Sequence, residues 1–232
     1  MRCMSMSTRV TAVIAAVLGA ASLAACATIP PEPAATSIPP EGDGPIVVFY
    51  GDSYTLGTGA SSADARWSTI ISADRGWREV NPSVNGLGFI NNRSVFGDGD
   101  LPSIIIDAQP DVVIVTMGLN DNFAYERRPD ERDRIREQIG IDLNRLRDGL
   151  PEARIVVVEP FWYTDERPES VQIIIDWVRE GAEAIGADYI AGASRYIEGR
   201  PELMAADGLH PNDEGYAVIA ERLDAEFAAL GL

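Results

Sequence analysis

The chain has 232 residues, of which 46% are hydrophobic and 24% are charged, as is usual for a globular protein. Its formal net charge at pH 7 is −17, and all 19 basic residues are arginine. This acidic balance argues against binding to nucleic acid and against docking on anionic lipid through a basic patch, because both partners are negatively charged.

The first 25 residues have the pattern of an export signal. Arg2 and Arg9 flank the start, and the run TAVIAAVLGAASLAA that follows is too short for a secure membrane span. It leads into LAAC, residues 23–26, which resembles the lipobox of bacterial lipoproteins. The resemblance implies cleavage before Cys26, lipidation of this cysteine, and an exported protein held at the membrane by its lipid alone. The alternative is an ordinary signal peptide cut near Ala25, with Cys26 incidental.

The remainder of the chain divides into a tether and one domain. Cys3 falls in the leader, so the mature chain keeps a single cysteine and forms no internal disulfide. Residues 26–44 are rich in Pro, Ala and Gly without apolar periodicity, which predicts an extended tether reaching up to ~50 Å. The domain is then 45–232, roughly 190 residues, which is enough for one full core.

Strand and helix patterns alternate from residue 46 onward. The runs IVVFY, DVVIVTMG and RIVVVEP lack polar alternation, which indicates strands of a parallel sheet covered on both faces. The predicted strands are 46–50, a short one within 77–85, 111–118, 154–160 and 187–192. The predicted helices are 62–75, about 100–108, 130–149, 168–185 and 212–230, the last with Asn212 as N-cap. This alternation predicts a doubly wound α/β sheet.

Four unusual segments each follow a predicted strand. They are GDSYTLG at 51–57, NGLGF at 85–89, GLND at 118–121 and DGLHP at 207–211. In an α/β sheet of this kind, ligands bind beyond the carboxyl ends of the strands, so these segments are expected to meet at one edge. Each segment alone is explained by a turn, but their joint occurrence at strand ends is much rarer than any single member.

The residue types in these segments suit serine acylation chemistry. That chemistry needs a nucleophilic hydroxyl, an imidazole to take its proton, a carboxylate to orient the imidazole, and donors for the developing oxyanion. Ser53 supplies a hydroxyl at a strand end. His210 is the only histidine in the chain, and Asp207 precedes it by three residues, close enough to reach Nδ1 within one turn.

GDS, GLND and DGLHP together resemble the blocks of the SGNH, or GDSL-type, hydrolase family, and the match spans about residues 45–230. The resemblance implies a flavodoxin-like three-layer α/β/α fold with a five-stranded parallel sheet. It implies a serine esterase in which Ser53 is the nucleophile, His210 the base and Asp207 its orienting acid.

The resemblance also implies an oxyanion hole formed by the backbone N–H of Ser53, the N–H of a glycine in NGLGF, and the side-chain amide of Asn120. Two glycines qualify, Gly86 and Gly88. We favour Gly88, because it precedes the bulky Phe89 as the donor glycine of the family precedes a larger residue.

The first block departs from the family pattern, since it reads GDSY where the family has GDSL. We expect Tyr54 to change only a packing position. Asp52 is expected to bond its own turn rather than to act as a second acid.

Other enzyme classes fit less well. A conventional α/β-hydrolase needs a G-x-S-x-G elbow, which neither GDSYT nor GASRY provides. One histidine makes a zinc site improbable, so we expect neither a metal nor a cofactor. The charge-rich stretch 126–137 is interpreted as a solvated helix face.

Substrate identity is less constrained by the sequence. The segment EPFWYTDERP places Phe161, Trp162 and Tyr163 after the fourth strand, where they either stack on a sugar, wall an acyl pocket or belong to the core. No long apolar insertion suggests a lipase lid, which favours a short-chain or carbohydrate ester as a small-molecule or glycan substrate. The alternatives are an acyltransferase using the same acyl-enzyme and a non-catalytic glycan-binding surface lipoprotein. The oligomeric state stays open.

Overall fold

The computed structural model describes residues 41–96 and 100–232. The predicted leader, Cys26 and most of the predicted tether lie outside these residues. In the described part of the chain, no helix combines the length and the apolar character needed to cross a membrane.

Five strands form one sheet in which every neighbouring pair is parallel. This confirms the predicted α/β fold with a five-stranded parallel sheet. The spatial order is β2-β1-β3-β4-β5, so the chain reverses direction across the sheet between β1 and β3. The strands are β1 Ile46–Tyr50, β2 Arg78–Val80, β3 Val112–Val115, β4 Arg154–Val158 and β5 Asp188–Ile190.

Helices connect the strands, as the alternating pattern predicts. The described α-helices are α1 Ser53–Leu56, α2 Trp67–Arg75, α3 Leu101–Asp107, α4 Asp121–Arg127, α5 Arg132–Gly149, α6 Glu169–Ala184 and α7 Asp213–Ala229. Short 3₁₀ turns lie at Ala63–Ala65, Arg93–Phe96, Pro129–Glu131, Ala193–Arg195 and Pro201–Leu203. Asn212 caps α7 as predicted, since its side chain accepts a hydrogen bond from the Gly215 N–H at 2.9 Å.

The charge-rich stretch 126–137 is not one helix face, contrary to the prediction. It contains the end of α4, the 3₁₀ turn that begins at Pro129, and the start of α5. Proline has no N–H and disfavours a helical residue before it, so a single helix cannot run through Arg128 and Pro129.

Alternate residues along each strand pack into two separate cores. Val48 and Tyr50 of β1 face the core that α3 and α5 cover, and Val47 and Phe49 face the core that α2 and α7 cover. Each fully buried side chain of this size stabilises the fold by about 1.5–3 kcal/mol. The sheet is thereby enclosed on both faces, which leaves its carboxyl edge as the place where loops gather.

Candidate active site

Ser53 is the first residue of α1, directly beyond the end of β1. Gly51 lets the chain pass close to Thr116 here, because a Cβ atom at this position would lie 2.4 Å from the Thr116 hydroxyl oxygen. Asp52 caps α1 by accepting a hydrogen bond from the Tyr54 N–H at 3.0 Å. The turn places the serine at the carboxyl edge of the sheet, beside the point where the strand order reverses.

His210 and Asp207 form a hydrogen-bonded pair in the loop that precedes α7. His210 Nδ1 lies 2.7 Å from one oxygen of Asp207, and the other oxygen accepts from the N–H groups of Leu209 and His210. Burial acts to raise the pKa of Asp207, but the hydrogen bonds from the ring and the two N–H groups outweigh it and lower the pKa to about 2. An ionised Asp207 accepts a hydrogen bond from the N–H at Nδ1 of His210, which leaves Nε2 free to act as a base.

Tyr54 connects the Ser53 turn to the His210 loop. Its hydroxyl donates to the Leu209 carbonyl at 2.8 Å, and its ring centroid lies 6.1 Å from that of His210. The same ring stacks on Phe161 with a centroid distance of 5.4 Å. The residue that follows Ser53 therefore holds the residue that precedes His210, so Tyr54 does more than occupy the packing position expected of it.

The side-chain amide of Asn120 joins the loops that follow three neighbouring strands. Its Nδ2 donates to Asp52, which follows β1, and to the Leu87 carbonyl, which follows β2, both at 3.1 Å. Asn120 itself follows β3, where it is the N-cap residue of α4. Because the amide has only two hydrogens, an oxyanion that takes one of them must replace Asp52 or Leu87 as acceptor.

Asp121 organises the loop that contains the predicted oxyanion glycine. Its carboxylate accepts from the N–H groups of Phe89 at 2.7 Å and Ile90 at 2.9 Å. A Cβ atom on Gly88 would lie 2.6 Å from this carboxylate, so only glycine fits at that position. The Gly88 N–H donates to the Asn91 carbonyl at 3.0 Å, and this bond must open before Gly88 can donate to a substrate.

Two buried carboxylates lie behind these loops. Burial raises the pKa of Asp52 to about 7, the N–H of Tyr54 acts against this rise, and the charge of Asp121 adds to it. Burial also raises the pKa of Asp121 to about 6, although the N–H groups of Ile90, Phe89 and Asn91 favour its charged form. Both groups therefore change charge near neutral pH.

The structure thus places the predicted serine, asparagine, glycine and Asp–His pair in loops beyond the carboxyl ends of the strands. Among the described residues, no hydrogen bond joins the Ser53 hydroxyl to His210, and this contact stays a prediction. Such catalytic hydrogen bonds are often long until a substrate binds. The choice between Gly86 and Gly88 also stays open. Across residues 41–96 and 100–232, no three His, Cys, Asp or Glu side chains gather as metal ligands do.

The aromatic segment after β4 belongs mainly to the core. Phe161 and Trp162 are only 2% and 4% exposed, and the Trp162 indole N–H donates to the Thr164 hydroxyl at 2.9 Å. Tyr163 is half-buried and lines a cleft of about 360 Å³, to which Gly208 of the His210 loop also contributes. Of the three aromatic residues, Tyr163 is the one positioned to contact a ligand.

Sequence reasoning missed three features of this site: the link from Asp52 to Asn120, the role of Asp121 as acceptor for a whole loop, and the bond from Tyr54 to Leu209. A partial signal existed for Asp121, since an acidic residue directly after Asn120 falls in the first turn of a helix. The other two depend on contacts between segments distant in sequence, for which composition and spacing give no signal.

The sequence of this chain matches that of the GDSL-like Lipase/Acylhydrolase family over residues 49–218. A curated relative, the GDSL lipase Rv0518 of Mycobacterium tuberculosis, is 31% identical over 190 residues, which cover 76% of this chain and 79% of the relative.

Solved esterases share the fold at low sequence identity. The psychrotrophic esterase EstA from Pseudoalteromonas sp. is 15% identical with a TM-score of 0.61, covering 81% of this chain and 99% of the esterase. A family two carbohydrate esterase from Cellvibrio japonicus is 17% identical with a TM-score of 0.62, covering 81% of this chain and 62% of that one. Est24, a carbohydrate acetylesterase from Sinorhizobium meliloti, is 16% identical with a TM-score of 0.57, covering 80% and 99%. At these identities the likeness concerns the fold alone.

Proposed function

Because the chain belongs to the GDSL-like lipase/acylhydrolase family and is an ester hydrolase, we propose that it cleaves short-chain acyl or carbohydrate esters through an acyl-enzyme on Ser53. The observation that carries the proposal is the connection between the two halves of the site. An ionised Asp207 holds His210, and Tyr54, next to Ser53, holds the loop in which His210 lies.

In the first half-reaction the Ser53 hydroxyl attacks the ester carbonyl while His210 Nε2 takes its proton. The bond between the carbonyl carbon and the alcohol oxygen then breaks, and His210 returns the proton to the departing alcohol. In the second half-reaction water attacks the acyl-enzyme with His210 again as base, which releases the carboxylic acid and restores Ser53. Asp207 keeps the ring oriented and stabilises its positive charge throughout.

The oxyanion formed in each half-reaction needs fixed donors. We assign these to the N–H of Ser53, the N–H of Gly88 and the amide of Asn120. In this assignment one N–H of the Asn120 amide gives up its hydrogen bond to the Leu87 carbonyl and donates to the oxyanion instead. The other N–H keeps its hydrogen bond to Asp52, which holds the amide in place. In the same way, the Gly88 N–H gives up its hydrogen bond to the Asn91 carbonyl and donates to the oxyanion.

Two observations support a short or carbohydrate ester as substrate. Phe161 and Trp162 are buried in the core rather than free to wall a long acyl chain. Solved proteins with this fold include a carbohydrate esterase and a carbohydrate acetylesterase by name. The curated relative is named a lipase, so long-chain esters are the substrates to test against.

The test measures kcat/KM for 4-nitrophenyl esters whose acyl chains have ~2–16 carbons, and for acetylated xylo-oligosaccharides. Ser53→Ala is the control. We expect the highest kcat/KM with acetyl or butyryl esters and loss of turnover in Ser53→Ala. A profile that rises with chain length beyond about ten carbons would favour a lipase instead.

We also propose that the enzyme is exported and anchored through lipid on Cys26, on the support of the basic start, the apolar run and LAAC in the sequence. Several acyl chains give a stable anchor, whereas one gives only marginal binding. The mature N-terminus should be a lipidated Cys26 by mass spectrometry, and Cys26→Ser should release the protein from membranes. An unmodified N-terminus at another residue would refute the anchor and leave the esterase proposal intact.

A further inference from the structure

A second cleft, of about 470 Å³, lies between the loop that follows β2 and helix α4. It is lined by residues 90–94 and by Phe123, Ala124, Arg127 and Arg128. We call it the arginine cleft, because Arg93, Arg127 and Arg128 all line it and none of the described residues that line it carries a carboxylate. In a chain of net charge −17, a cleft lined by three arginines is a candidate site for an anionic group.

The arginine cleft is built from the same two segments that carry two of the three predicted oxyanion donors, Gly88 and Asn120. Its Asn91 accepts the hydrogen bond from the Gly88 N–H. Helix α4 begins directly after Asn120 and supplies the other wall. With a rise of ~1.5 Å per residue, Arg127 lies about 10 Å along the helix axis from Asn120. A substrate of modest length can therefore reach from the catalytic edge to Arg127.

The three arginines differ in their partners. Arg93 is held in a two-point ion pair with the buried carboxylate of Asp142, at 2.6 and 3.1 Å, and Arg128 pairs with Glu131 at 2.7 Å. Arg127 is different, because its guanidinium packs over the Phe123 ring at 5.7 Å. Within residues 41–96 and 100–232, no carboxylate oxygen lies within 4 Å of it. Arg127 is exposed, and its guanidinium lies against an aromatic surface.

We propose that the arginine cleft binds a carboxylate on the acyl part of the ester substrate, with Arg127 as the residue that selects it. A guanidinium recognises a carboxylate through two parallel hydrogen bonds, which favours this group over a neutral acyl end. The inference rests on the proposed function. His210 must protonate the departing alcohol, so the alcohol lies toward the His210 loop, and the acyl part is left with the loops after β2 and β3.

The experiment compares two matched pairs of substrates, which differ only in the terminal carboxylate. These are 4-nitrophenyl hexanoate against the mono-4-nitrophenyl ester of adipic acid, and 4-nitrophenyl octanoate against that of suberic acid. In the wild-type enzyme we expect the anionic member of at least one pair to have the higher kcat/KM. Arg127→Gln should lower the ratio of kcat/KM for the anionic ester to kcat/KM for the neutral ester about 5-fold, mainly through KM. In the wild type, 0.5 M NaCl should lower the same ratio. Arg136→Gln is the matched control, since Arg136 lies on α5 and pairs with Glu180.

An anionic-to-neutral ratio that is below one in the wild type, or unchanged in Arg127→Gln, would overturn the inference. Titration with disodium suberate keeps this test independent of turnover. Suberate should bind the wild-type protein and bind Arg127→Gln about 5-fold more weakly. If neutral esters are not hydrolysed while suberate binding still depends on Arg127, the proposed function fails and the arginine cleft stands. If neutral esters are hydrolysed and suberate does not bind, the proposed function stands and the inference about the arginine cleft fails.

Discussion

Asn120 carries two roles that substitution can separate. Its amide bridges Asp52 and the Leu87 carbonyl in the resting structure, and the proposal requires it to donate to the oxyanion during reaction. Asn120→Ala should lower kcat by about 10²–10³ with little change in KM, because one oxyanion donor is lost. It should also destabilise the fold by about 1–3 kcal/mol, because two buried acceptors lose their partner.

Asn122→Ala is the matched control for this variant. Asn122 lies in the same helix, is buried, and accepts a hydrogen bond from Ser170 at 2.6 Å, so its loss should cost comparable stability without lowering kcat. If Asn120→Ala loses stability but keeps a normal kcat, Asn120 is a bridge between loops and not an oxyanion donor.

Tyr54 is expected to position the catalytic base through a single hydroxyl. Tyr54→Phe removes the hydrogen bond to the Leu209 carbonyl and keeps the stacking on Phe161. We expect kcat to fall about 3- to 10-fold, because the His210 loop loses a fixed contact to the nucleophile turn. Steady-state kinetics with 4-nitrophenyl acetate measures this. Tyr50→Phe also removes a buried hydroxyl bond, but on the other core and away from His210, so an equal loss of kcat in both variants would contradict the positioning role.

At the scale of residues, the sequence was informative for reactive residues that are rare in the chain or that lie at strand ends. A single histidine, an aspartate three residues before it and a serine at a strand end could be selected without a structure. Asn120 and the glycine were selected only through the family resemblance. The hydrogen-bond partners of these residues, namely Asp52 and Leu87 for Asn120 and Asn91 for Gly88, could not be anticipated, because they depend on how the loops fold.

Among the elements, the turn between β1 and α1 has a strict steric requirement. A methyl group on Gly51 would overlap the Thr116 hydroxyl at the end of β3, so Gly51→Ala should destabilise the fold by about 1–3 kcal/mol. Gly140 offers the matched control, since it lies in α5 with no atom within 4 Å of an added Cβ. Gly140→Ala should stabilise by about 0.5–1 kcal/mol through helix propensity. Urea unfolding of both variants measures the difference, and equal stabilities would contradict this account of the turn.

Elements with long apolar patterns were predicted well, and short ones were not. The continuous apolar runs of β1, β3 and β4 mark buried parallel strands, and the structure has all five predicted strands. Helix α1 has four residues, too few for any periodicity to show. Helix α4 was missed because its polar side chains Asp121 and Asn122 are buried by contacts with segments distant in sequence, so the helix shows no apolar periodicity.

For the whole molecule, the two buried carboxylates predict an acidic optimum of stability. The pKa of Asp52 is raised to about 7 and that of Asp121 to about 6, from an ordinary value of 3.8. Between about pH 4 and 7 the folded state therefore holds protons that the unfolded state has released, and the free energy of unfolding falls as pH rises. The pKa of Asp207 is lowered to about 2, so this residue changes the free energy of unfolding in the opposite direction. Its stabilising contribution is present above pH 4 and is lost as pH falls toward 2.

We therefore expect the free energy of unfolding to be highest near pH 4 and to fall by about 2–4 kcal/mol between pH 5 and 8. The net charge of −17 works in the same direction, since repulsion grows as carboxyls ionise. Urea unfolding of the wild type and of Asp52→Asn between pH 5 and 8 tests this. The variant should show a flatter dependence. A wild-type stability that rises from pH 5 to 8 would contradict the assignment.

The identity of the nucleophile is shown most directly by covalent labelling with an organophosphonate ester. This reagent reacts with an activated serine and stops at a stable adduct, so intact mass and peptide mapping report which residue is the nucleophile. We expect one adduct per chain, located on Ser53, with loss of esterase activity in proportion to labelling. Ser53→Ala should take up no label and hydrolyse no ester. An adduct on another serine, or an active Ser53→Ala enzyme, would show that Ser53 is not the nucleophile.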